Sequence, residues 1–368
     1  MSTLPNMSLI ATTASPLLQQ ALQSKLHRPD RASGGMGELE AVAVRLGLLQ
    51  HSLKPRFRDP QVVVFAADHG LAVDGIHAGP GCQTDELVCQ ILANQHPISA
   101  LARLQGLALS VVDCGVASQL PAHERLVQRK IAHGTRNSRV NNAMSLEQAH
   151  AAIRAGMEIG DNLRGNLVAC AGLGVGSHES AALVLARLTD TPVRELVNSG
   201  PRMNPELLAH LMIVVQGAQG RHRNVNDAVE VLAAFGGFET AVMVGTMLVS
   251  ASKRHLIMVD GIAACAALLV ATRIADSVID YCVFSRSQTH HGLDRALALF
   301  QASALLELKL DAIDGTGSCL SWPLINSAAA LLTDLDGGDE GASQPQGIDP
   351  PVVQSLYDPR NPTIPGVL

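Results

Sequence analysis

The sequence predicts an α/β protein built around a doubly wound, mainly parallel sheet, with a small helical part at its N-terminus. From about residue 60 onward, short apolar stretches alternate with longer amphipathic segments, as expected when strands alternate with helices. Each apolar stretch ends in a glycine or polar turn. Aromatic residues make up only 2% of a chain that is 47% hydrophobic, and such small apolar side chains suit helices packed closely on a sheet.

Composition limits the classes of function. The 368 residues are enough for one large core or two moderate ones, and the mean hydropathy is +0.20. A net charge of -6 and few aromatic side chains argue against a nucleic-acid partner. Seven scattered cysteines without a C-x-x-C pair favour a reduced, cytoplasmic protein, and no signal peptide is predicted. The apolar stretch Leu256 to Ala275 is interrupted by Asp260-Gly261, so we predict a buried strand and helix there and no membrane span.

The elements follow in order along the chain. Helices are predicted from Leu17 to Leu26 and from Glu38 to Leu49, so residues 1–55 are assigned to a small helical part. Residues 56–332 form the predicted α/β domain, and 333–368, rich in Gly, Asp, Pro and Ser, form a predicted flexible tail. The predicted strands are Val62–Phe65, Ala108–Val112, Leu167–Cys170, Leu256–Val259 and Ile279–Phe284.

The most informative turn lies near the C-terminal end of the α/β domain. Leu306, Leu308 and Leu310 alternate as in a buried strand, and Leu324–Leu332 is predicted to be a helix. The sequence between them contains Asp314-Gly315-Thr316-Gly317-Ser318. Such a turn offers N–H groups and a hydroxyl to an anion, with a carboxylate beside them that can accept a proton. The alternative is that Asp314 only caps the helix.

A second glycine turn, Gly172-Leu173-Gly174-Val175-Gly176-Ser177, precedes another predicted helix. Alternate glycines let backbone N–H groups approach a phosphate, and the helix N-terminus adds its dipole. The pattern lacks the G-x-G-x-x-G spacing of a dinucleotide site, so a nicotinamide-dinucleotide enzyme is only an alternative, as is a turn without a ligand.

Further polar residues follow the other strands. Asp68 and His69 come directly after VVVFAA, and His77 and Glu86 lie in the loop and first helical turn beyond them. Glu239 opens a helix, where a structural role is the first interpretation of its carboxylate. Asp260 ends a strand, and Arg286 and His290 follow the last predicted strand. His290-His291 has no second set of ligands at metal spacing, so no metal site is predicted. Because strand ends of a doubly wound sheet gather at one edge, these turns are expected to form one site.

Together these turns resemble the nicotinate-nucleotide:dimethylbenzimidazole phosphoribosyltransferase family. The resemblance covers about residues 33 to 332. The motifs that carry it are, in chain order, GGMGELE at 34–40, FAADHG at 65–70 followed by Gly75 to Pro80, GTRN at 134–137 followed by Ala143-Met144, GLGVGS at 172–177, GGFE at 236–239, MVDG at 258–261 and IDGTGS at 313–318. The resemblance implies a Rossmann-like parallel sheet with a small helical domain from the chain ends, no cofactor, and a homodimer.

The resemblance also implies the chemistry. In the family a benzimidazole nitrogen displaces nicotinate at the ribose of a mononucleotide, giving an α-ribazole phosphate, and a glutamate serves as base. Asp314 stands in the place of that glutamate, one methylene or about 1.5 Å shorter. His178 and Glu179 stand where the family has two threonines, Gly172 stands where it has a glutamate, and Leu211 replaces a phosphate-binding lysine.

The expected partners are thus a small nucleotide and an aromatic base. Positive charge in place of the lysine is expected from Arg286, His210 or His290. Two alternatives stay open: a relative with another base or donor, and a nucleotide-binding protein without turnover. Asp314 is the expected catalytic residue. The expected substrate-binding residues are Asp68, His69, His77, Glu86, Gly172, Leu173, Gly174, Gly176, Ser177, His210, Glu239, Asp260, Arg286, His290, Gly315, Thr316 and Gly317.

Overall fold

A six-stranded, fully parallel sheet forms the centre of the protein. The computed structural model describes residues 10–27, 35–76, 83–197, 204–334 and 356–360. The strands are β1 (Gln61–Ala67), β2 (Ala108–Gly115), β3 (Leu126–Gln128), β4 (Leu167–Leu173), β5 (Leu256–Asp260) and β6 (Cys282–Ser285). Their spatial order is β3-β2-β1-β4-β5-β6. The chain therefore changes direction across the sheet between β1 and β4, and open α/β sheets bind ligands at such a switch point.

Twelve α-helices are assigned in the described part of the chain. They are α1 (Pro16–Leu26), α2 (Glu38–Gln50), α3 (Thr84–Leu92), α4 (Pro97–Leu104), α5 (Leu146–Asn162), α6 (Ser177–Thr189), α7 (Pro205–Arg221), α8 (Ala228–Phe235), α9 (Phe238–Ser252), α10 (Ile262–Ile274), α11 (His291–Leu299) and α12 (Thr316–Thr333). Short 3₁₀ turns cover Gly70–Asp74, Val193–Glu195 and Asp276–Tyr281.

Helices bury the sheet and hold its strand ends in place. Every residue of β4, β5 and β6 is buried, as expected for parallel strands covered on both faces. Helix α9 packs against β1, β2, β4 and β5, whereas α12 packs against β5, β6, α2 and α4. All but one residue of α9 are buried, so this helix lies in the core and places its first turn at the edge of the sheet.

The predicted fold class is confirmed, and so are the helices α1 and α2. One predicted strand is confirmed with different bounds, and another is wrong. Ile279–Phe284 is divided between the 3₁₀ turn that ends at Tyr281 and β6, which begins at Cys282. Leu306 to Leu310 forms no strand: Leu308 is 51% exposed, and Lys309 has a φ of +53°, a left-handed conformation that interrupts an extended chain.

Helix α12 begins at Thr316, eight residues before the predicted start at Leu324. Pro323 lies inside this helix, in the position where the sequence suggested a boundary. The short edge strand β3 was not predicted, because three residues carry too little periodicity to be recognised.

The stretch Leu256 to Ala275 is confirmed as a strand, β5, followed by a helix, α10. In the described ranges, no helix has the length and apolar character needed to cross a bilayer. The predicted tail, 333–368, lies outside the described residues except for 333–334 and 356–360, so that prediction and the division into domains stay predictions.

Candidate active site

The turns after β1, β4, β5 and β6 are joined by side-chain contacts into one site. Asp68, after β1, accepts a hydrogen bond from Thr84, whose Oγ1 also accepts the N–H of Val175 after β4 at 3.1 Å. Asp260, at the end of β5, accepts hydrogen bonds from Ser287 after β6 and from the N–H of Ser318 in α12. The strand order thus brings segments far apart in sequence to the same edge.

Asp314 lies in the interior of this edge. Its side chain is 2% exposed, and neither carboxylate oxygen has a hydrogen-bond partner among the described residues. The N-cap of α12 is Gly315 and the helix has no side-chain cap, so the alternative that Asp314 merely caps the helix is wrong. A Cβ at Gly261 would lie 1.9 Å from Oδ2 of Asp314, so only glycine leaves room for this carboxylate.

The surroundings of Asp314 favour its protonated form. Burial and the negative charge of Asp260 raise the pKa of Asp314 well above its ordinary value. Asp260 is itself buried, which raises its own pKa, although the hydrogen bonds from Ser287 and Ser318 favour its charged form. Two neighbouring buried carboxyl groups whose pKa values are displaced upward are typical of a site that handles protons.

One imidazole lies next to Asp314, and a second imidazole lies beside the first. Nε2 of His178, in the first turn of α6, lies 3.9 Å from Oδ2 of Asp314, and the His178 side chain is 24% exposed. The ring of His290, the N-cap of α11, lies 5.6 Å from the His178 ring between centroids. Nδ1 of His290 accepts the N–H of Leu293 at 3.1 Å, which fixes the orientation of that ring.

The glycine turn leads directly into α6. The N–H of Val175 is bound by Thr84 and the N–H of Ser177 by the carbonyl oxygen of Gly174, so these two groups already have partners within the protein. The N-terminus of the 13-residue helix α6 adds the positive end of its dipole. Burial raises the pKa of Glu179 in the same turn, which favours its neutral form and reduces its repulsion of an anion.

A buried ion pair contacts the glycine turn through Ser177. Nε2 of His69 lies 3.1 Å from Oε1 of Glu239, and the two side chains are 1% and 0% exposed. Ser177 donates a hydrogen bond of 2.9 Å to the same oxygen. Burial lowers the pKa of His69, but the negative charge of Glu239 outweighs burial, and the pKa of His69 is raised. Burial raises the pKa of Glu239, but the charge of His69 and the hydrogen bonds that Glu239 accepts from His69 and Ser177 outweigh it, and the pKa of Glu239 is lowered.

We expect Glu239→Gln to destabilise the protein by about 3–5 kcal/mol, because it leaves the charge of His69 buried without its partner. The raised pKa of His69 gives a stabilising contribution that is complete below the unfolded pKa of 6.5 and disappears as the pH rises through the folded pKa. The lowered pKa of Glu239 gives a stabilising contribution that is complete above the unfolded pKa of 4.5 and disappears as the pH falls through the folded pKa. The difference in unfolding free energy between the variant and the wild type should therefore be largest between pH 4.5 and pH 6.5 and become smaller at alkaline pH. Denaturant unfolding across pH measures it. Glu230→Gln, at an exposed position of α8, is the control, and an equal effect there would contradict the ion pair.

Three expected residues serve other contacts. The carboxylate of Asp68 is bonded to Thr84 and to the N–H of Ala117. Glu86 is exposed and accepts the N–H of Gln83 in a capping box of α3. His210, exposed on α7, contacts the carbonyl oxygen of Asp74 through Nε2 at 2.6 Å.

Arg286 forms ion pairs with Asp294 at 2.7 Å and Glu307 at 3.0 Å, so two carboxylates already balance its charge. His77 lies outside the described residues. The remaining expected residues lie in the turns described above, with Gly172 and Leu173 at the buried end of β4 and Thr316 bonded through Oγ1 to the carbonyl oxygen of Ile313.

Sequence reasoning missed His178 and Ser287 as members of the site. A signal existed for His178, because it is the second residue of a helix that begins at the glycine turn and therefore lies at the same edge. Nothing in the sequence indicated that Ser287 would bond both Asp260 and the N–H of Gly317. Among the described residues, no three His, Cys, Asp or Glu side chains are grouped as metal ligands.

Comparison with known proteins shows which family this chain resembles in sequence and structure. Residues 12–342 match the model of a family described as phosphoribosyltransferase. The nicotinate-nucleotide–dimethylbenzimidazole phosphoribosyltransferase of Cupriavidus taiwanensis is 41% identical over 87% of this chain and 92% of its own length, and that of Cupriavidus necator is 39% identical over 86% and 93%. The crystal structure of the enzyme of that name from Thermus thermophilus has a TM-score of 0.79 and 31% identity over 87% of this chain and 96% of its own.

Proposed function

This chain belongs to the family of nicotinate-nucleotide–dimethylbenzimidazole phosphoribosyltransferases, and we propose that it moves the phosphoribosyl group of nicotinate mononucleotide onto dimethylbenzimidazole or a related base. The products are nicotinate and an α-ribazole 5′-phosphate, a unit of the lower ligand of cobalamin. The observation that carries the proposal is Asp314, a buried carboxylate without a hydrogen-bond partner in the described residues, at the switch-point edge of the sheet.

The reaction needs a group that removes a proton. A nitrogen of the base attacks the anomeric carbon of the ribose, the bond to nicotinate breaks, and the nicotinate ring nitrogen keeps the electron pair. The base then carries an N–H proton that must leave. We assign the carboxylate of Asp314 as the group that finally holds a proton from this step, because its raised pKa brings it closer to the pH at which a general base acts best.

The phosphate of the nucleotide is proposed to lie at the glycine turn, against the N-terminus of α6. The three side chains expected to replace the family lysine are engaged elsewhere or neutral. Arg286 is paired with two carboxylates, and His210 is bonded to a carbonyl oxygen. Burial and the neighbouring His178 lower the pKa of His290 to about 3, so it carries no charge at neutral pH. The proposed phosphate site therefore depends on the helix dipole and on backbone N–H groups of this turn other than those of Val175 and Ser177.

The pH dependence of kcat/KM follows from these carboxyl groups. Because a general base acts in its ionised form, kcat/KM should rise with pH through the raised pKa of Asp314. Asp260→Asn removes one negative charge that raises this pKa, so the acid limb should move to lower pH. Profiles of both proteins from about pH 5 to 9 test it. A limb that stays in place would show that Asp260 does not act on the base.

The product assay tests the function itself. The purified protein is supplied with nicotinate mononucleotide and dimethylbenzimidazole, and then with a panel of purines and phenols, and ribosylated phosphate products are detected by mass. Formation of α-ribazole phosphate with release of nicotinate would support the proposal. Binding of the nucleotide without product from any base would instead favour a nucleotide-binding protein without turnover.

A homodimer and a reduced, cytoplasmic setting belong to the same proposal. The six cysteines among the described residues are free thiols, and five of them are buried in the core, which suits a reducing compartment. The mass in solution, measured by light scattering, tests the dimer.

A further inference from the structure

We propose that His178 is a catalytic residue of this chain: its imidazole takes the N–H proton of the attacking base and passes a proton on to Asp314 beneath it. This inference rests on the proposed phosphoribosyl transfer and names a second residue for its proton step. It is carried by the relative depth of the two side chains, by the direction of the His178 ring, and by the short side chain at position 314.

The two side chains differ in their access to solvent. The Asp314 side chain is 2% exposed, whereas the His178 side chain, 3.9 Å away, is 24% exposed. A bicyclic base is too large to reach a side chain that is exposed as little as Asp314. The base therefore contacts the imidazole of His178 before it contacts the carboxylate. Asp314 holds two oxygens without hydrogen-bond partners in the described residues, and Nε2 of His178 is directed toward one of them.

The His178 imidazole lies close to Asp314 and is held in place by a neighbouring ring. A separation of 3.9 Å exceeds a hydrogen bond by about 1 Å, and catalytic hydrogen bonds are often long before substrate binds and shorten in the complex. The His178 ring is supported on one side by His290, whose own orientation is fixed by the N–H of Leu293. A small shift of the first turn of α6 therefore completes a base–imidazole–carboxylate line.

The His178 imidazole carries no charge at neutral pH. Partial burial and the neighbouring His69 lower the pKa of His178 to about 4, so the imidazole is neutral and can accept a proton. The titratable groups that face it are His69, His290 and Asp314. Asp314 has the higher tendency to hold a proton, since its pKa is raised well above its ordinary value.

The proton balance is closed. With the Nε2–H tautomer of His178 facing an ionised Asp314, the base gives its N–H proton to Nδ1 of His178 as its other nitrogen bonds to the anomeric carbon. The Nε2 proton passes to Oδ2 of Asp314, leaving a neutral imidazole and a carboxylic acid. After the product leaves, water takes the proton from Nδ1 of His178 and Asp314 returns its proton to Nε2, which restores the starting tautomer.

Length explains why an imidazole is needed at this position. Aspartate withdraws its carboxylate by about 1.5 Å relative to a glutamate on the same backbone. An imidazole in the first turn of α6 fills that gap from the opposite side. The shorter carboxylate of Asp314 and the imidazole of His178 are therefore matched changes. Reversing both should restore direct proton transfer from the base to the carboxylate.

The first experiment compares His178→Gln with the wild type, using nicotinate mononucleotide and dimethylbenzimidazole. We expect kcat to fall by roughly 10²–10⁴-fold with little change in KM for the nucleotide. The control His291→Gln carries the same substitution on a side chain that is 74% exposed, and it should be unaffected. Unchanged kcat in His178→Gln, in a wild type that makes product, would overturn the inference and leave the proposed function intact.

The second experiment removes the proton instead of the residue. 1,5,6-Trimethylbenzimidazole has no N–H, so its attack produces no proton to transfer. The ratio of wild-type to His178→Gln rates should collapse toward one with this base, whereas a ratio equal to that for dimethylbenzimidazole would show that His178 acts by packing and would overturn the inference. A wild type without product from either base is the failure of the proposed function.

A third measurement uses the length argument. His178→Thr alone should lose turnover, and the double variant with Asp314→Glu should recover most of it, because the longer carboxylate then reaches the base directly. Melting temperatures show whether both variants are folded. A folded double variant no faster than His178→Thr would count against the matched roles of the two residues.

Discussion

Replacing Asp314 by asparagine is expected to lower kcat by roughly 10²–10⁴-fold, the range that general-base catalysis contributes. The amide has nearly the same shape as the carboxylate and fits against Gly261, but it cannot accept the proton of the base. Nucleotide affinity should change little, because the proposed phosphate site lies at the glycine turn before α6. Steady-state kinetics and equilibrium binding of nicotinate mononucleotide separate the two effects.

Asp311→Asn is the matched control for this experiment. It makes the same chemical change three residues earlier, at an exposed position. Turnover by Asp311→Asn should stay near that of the wild type. If Asp314→Asn also turned over at the wild-type rate, the carboxylate would have no part in the reaction.

Replacing Gly174 by alanine is expected to have the second largest effect. A Cβ at this position would lie 1.9 Å from the carbonyl oxygen of Ala67, at the end of the neighbouring strand β1. That atom belongs to the backbone, so one strand end must move away from the other at the switch point. Overpacking of this kind costs about 1–3 kcal/mol of stability. Because the displaced turn is also the proposed phosphate site, nucleotide affinity should fall by about tenfold or more, equivalent to ~1.4 kcal/mol.

Gly220→Ala provides the comparison for Gly174→Ala. Gly220 lies in α7, and apart from the neighbouring backbone of that helix no atom of the described residues lies within 4 Å of the Cβ that alanine would add. This variant should keep the wild-type stability and affinity, or become slightly more stable because alanine favours helix. Thermal unfolding and nucleotide titration of both variants test the expectation. Normal affinity in Gly174→Ala would mean that the turn packs the strands without holding the phosphate.

Much of the fold could be predicted because the strands of a buried parallel sheet are short apolar runs. β1, β4 and β5 were recognised in this way, and the glycine turns after them marked the edge that carries the site. The failures have physical causes. Leu306 to Leu310 alternates like a strand, yet it lies outside the sheet, with Leu308 half exposed and Lys309 left-handed. Periodicity describes which side chains are apolar and cannot specify which edge is available for pairing.

The sequence by itself determined the fold class, the family resemblance and the position of Asp314 in the turn before a helix, since each depends on local pattern along the chain. Only the tertiary structure decided which polar residues meet. It brought His178 to within 3.9 Å of Asp314 and paired His69 with Glu239, and it turned Arg286 toward Asp294 and Glu307. These contacts join residues up to 170 positions apart, counted from 69 to 239. Their partners are set by strand order and by the burial of each charge, because a buried charged group must find a partner or change its protonation.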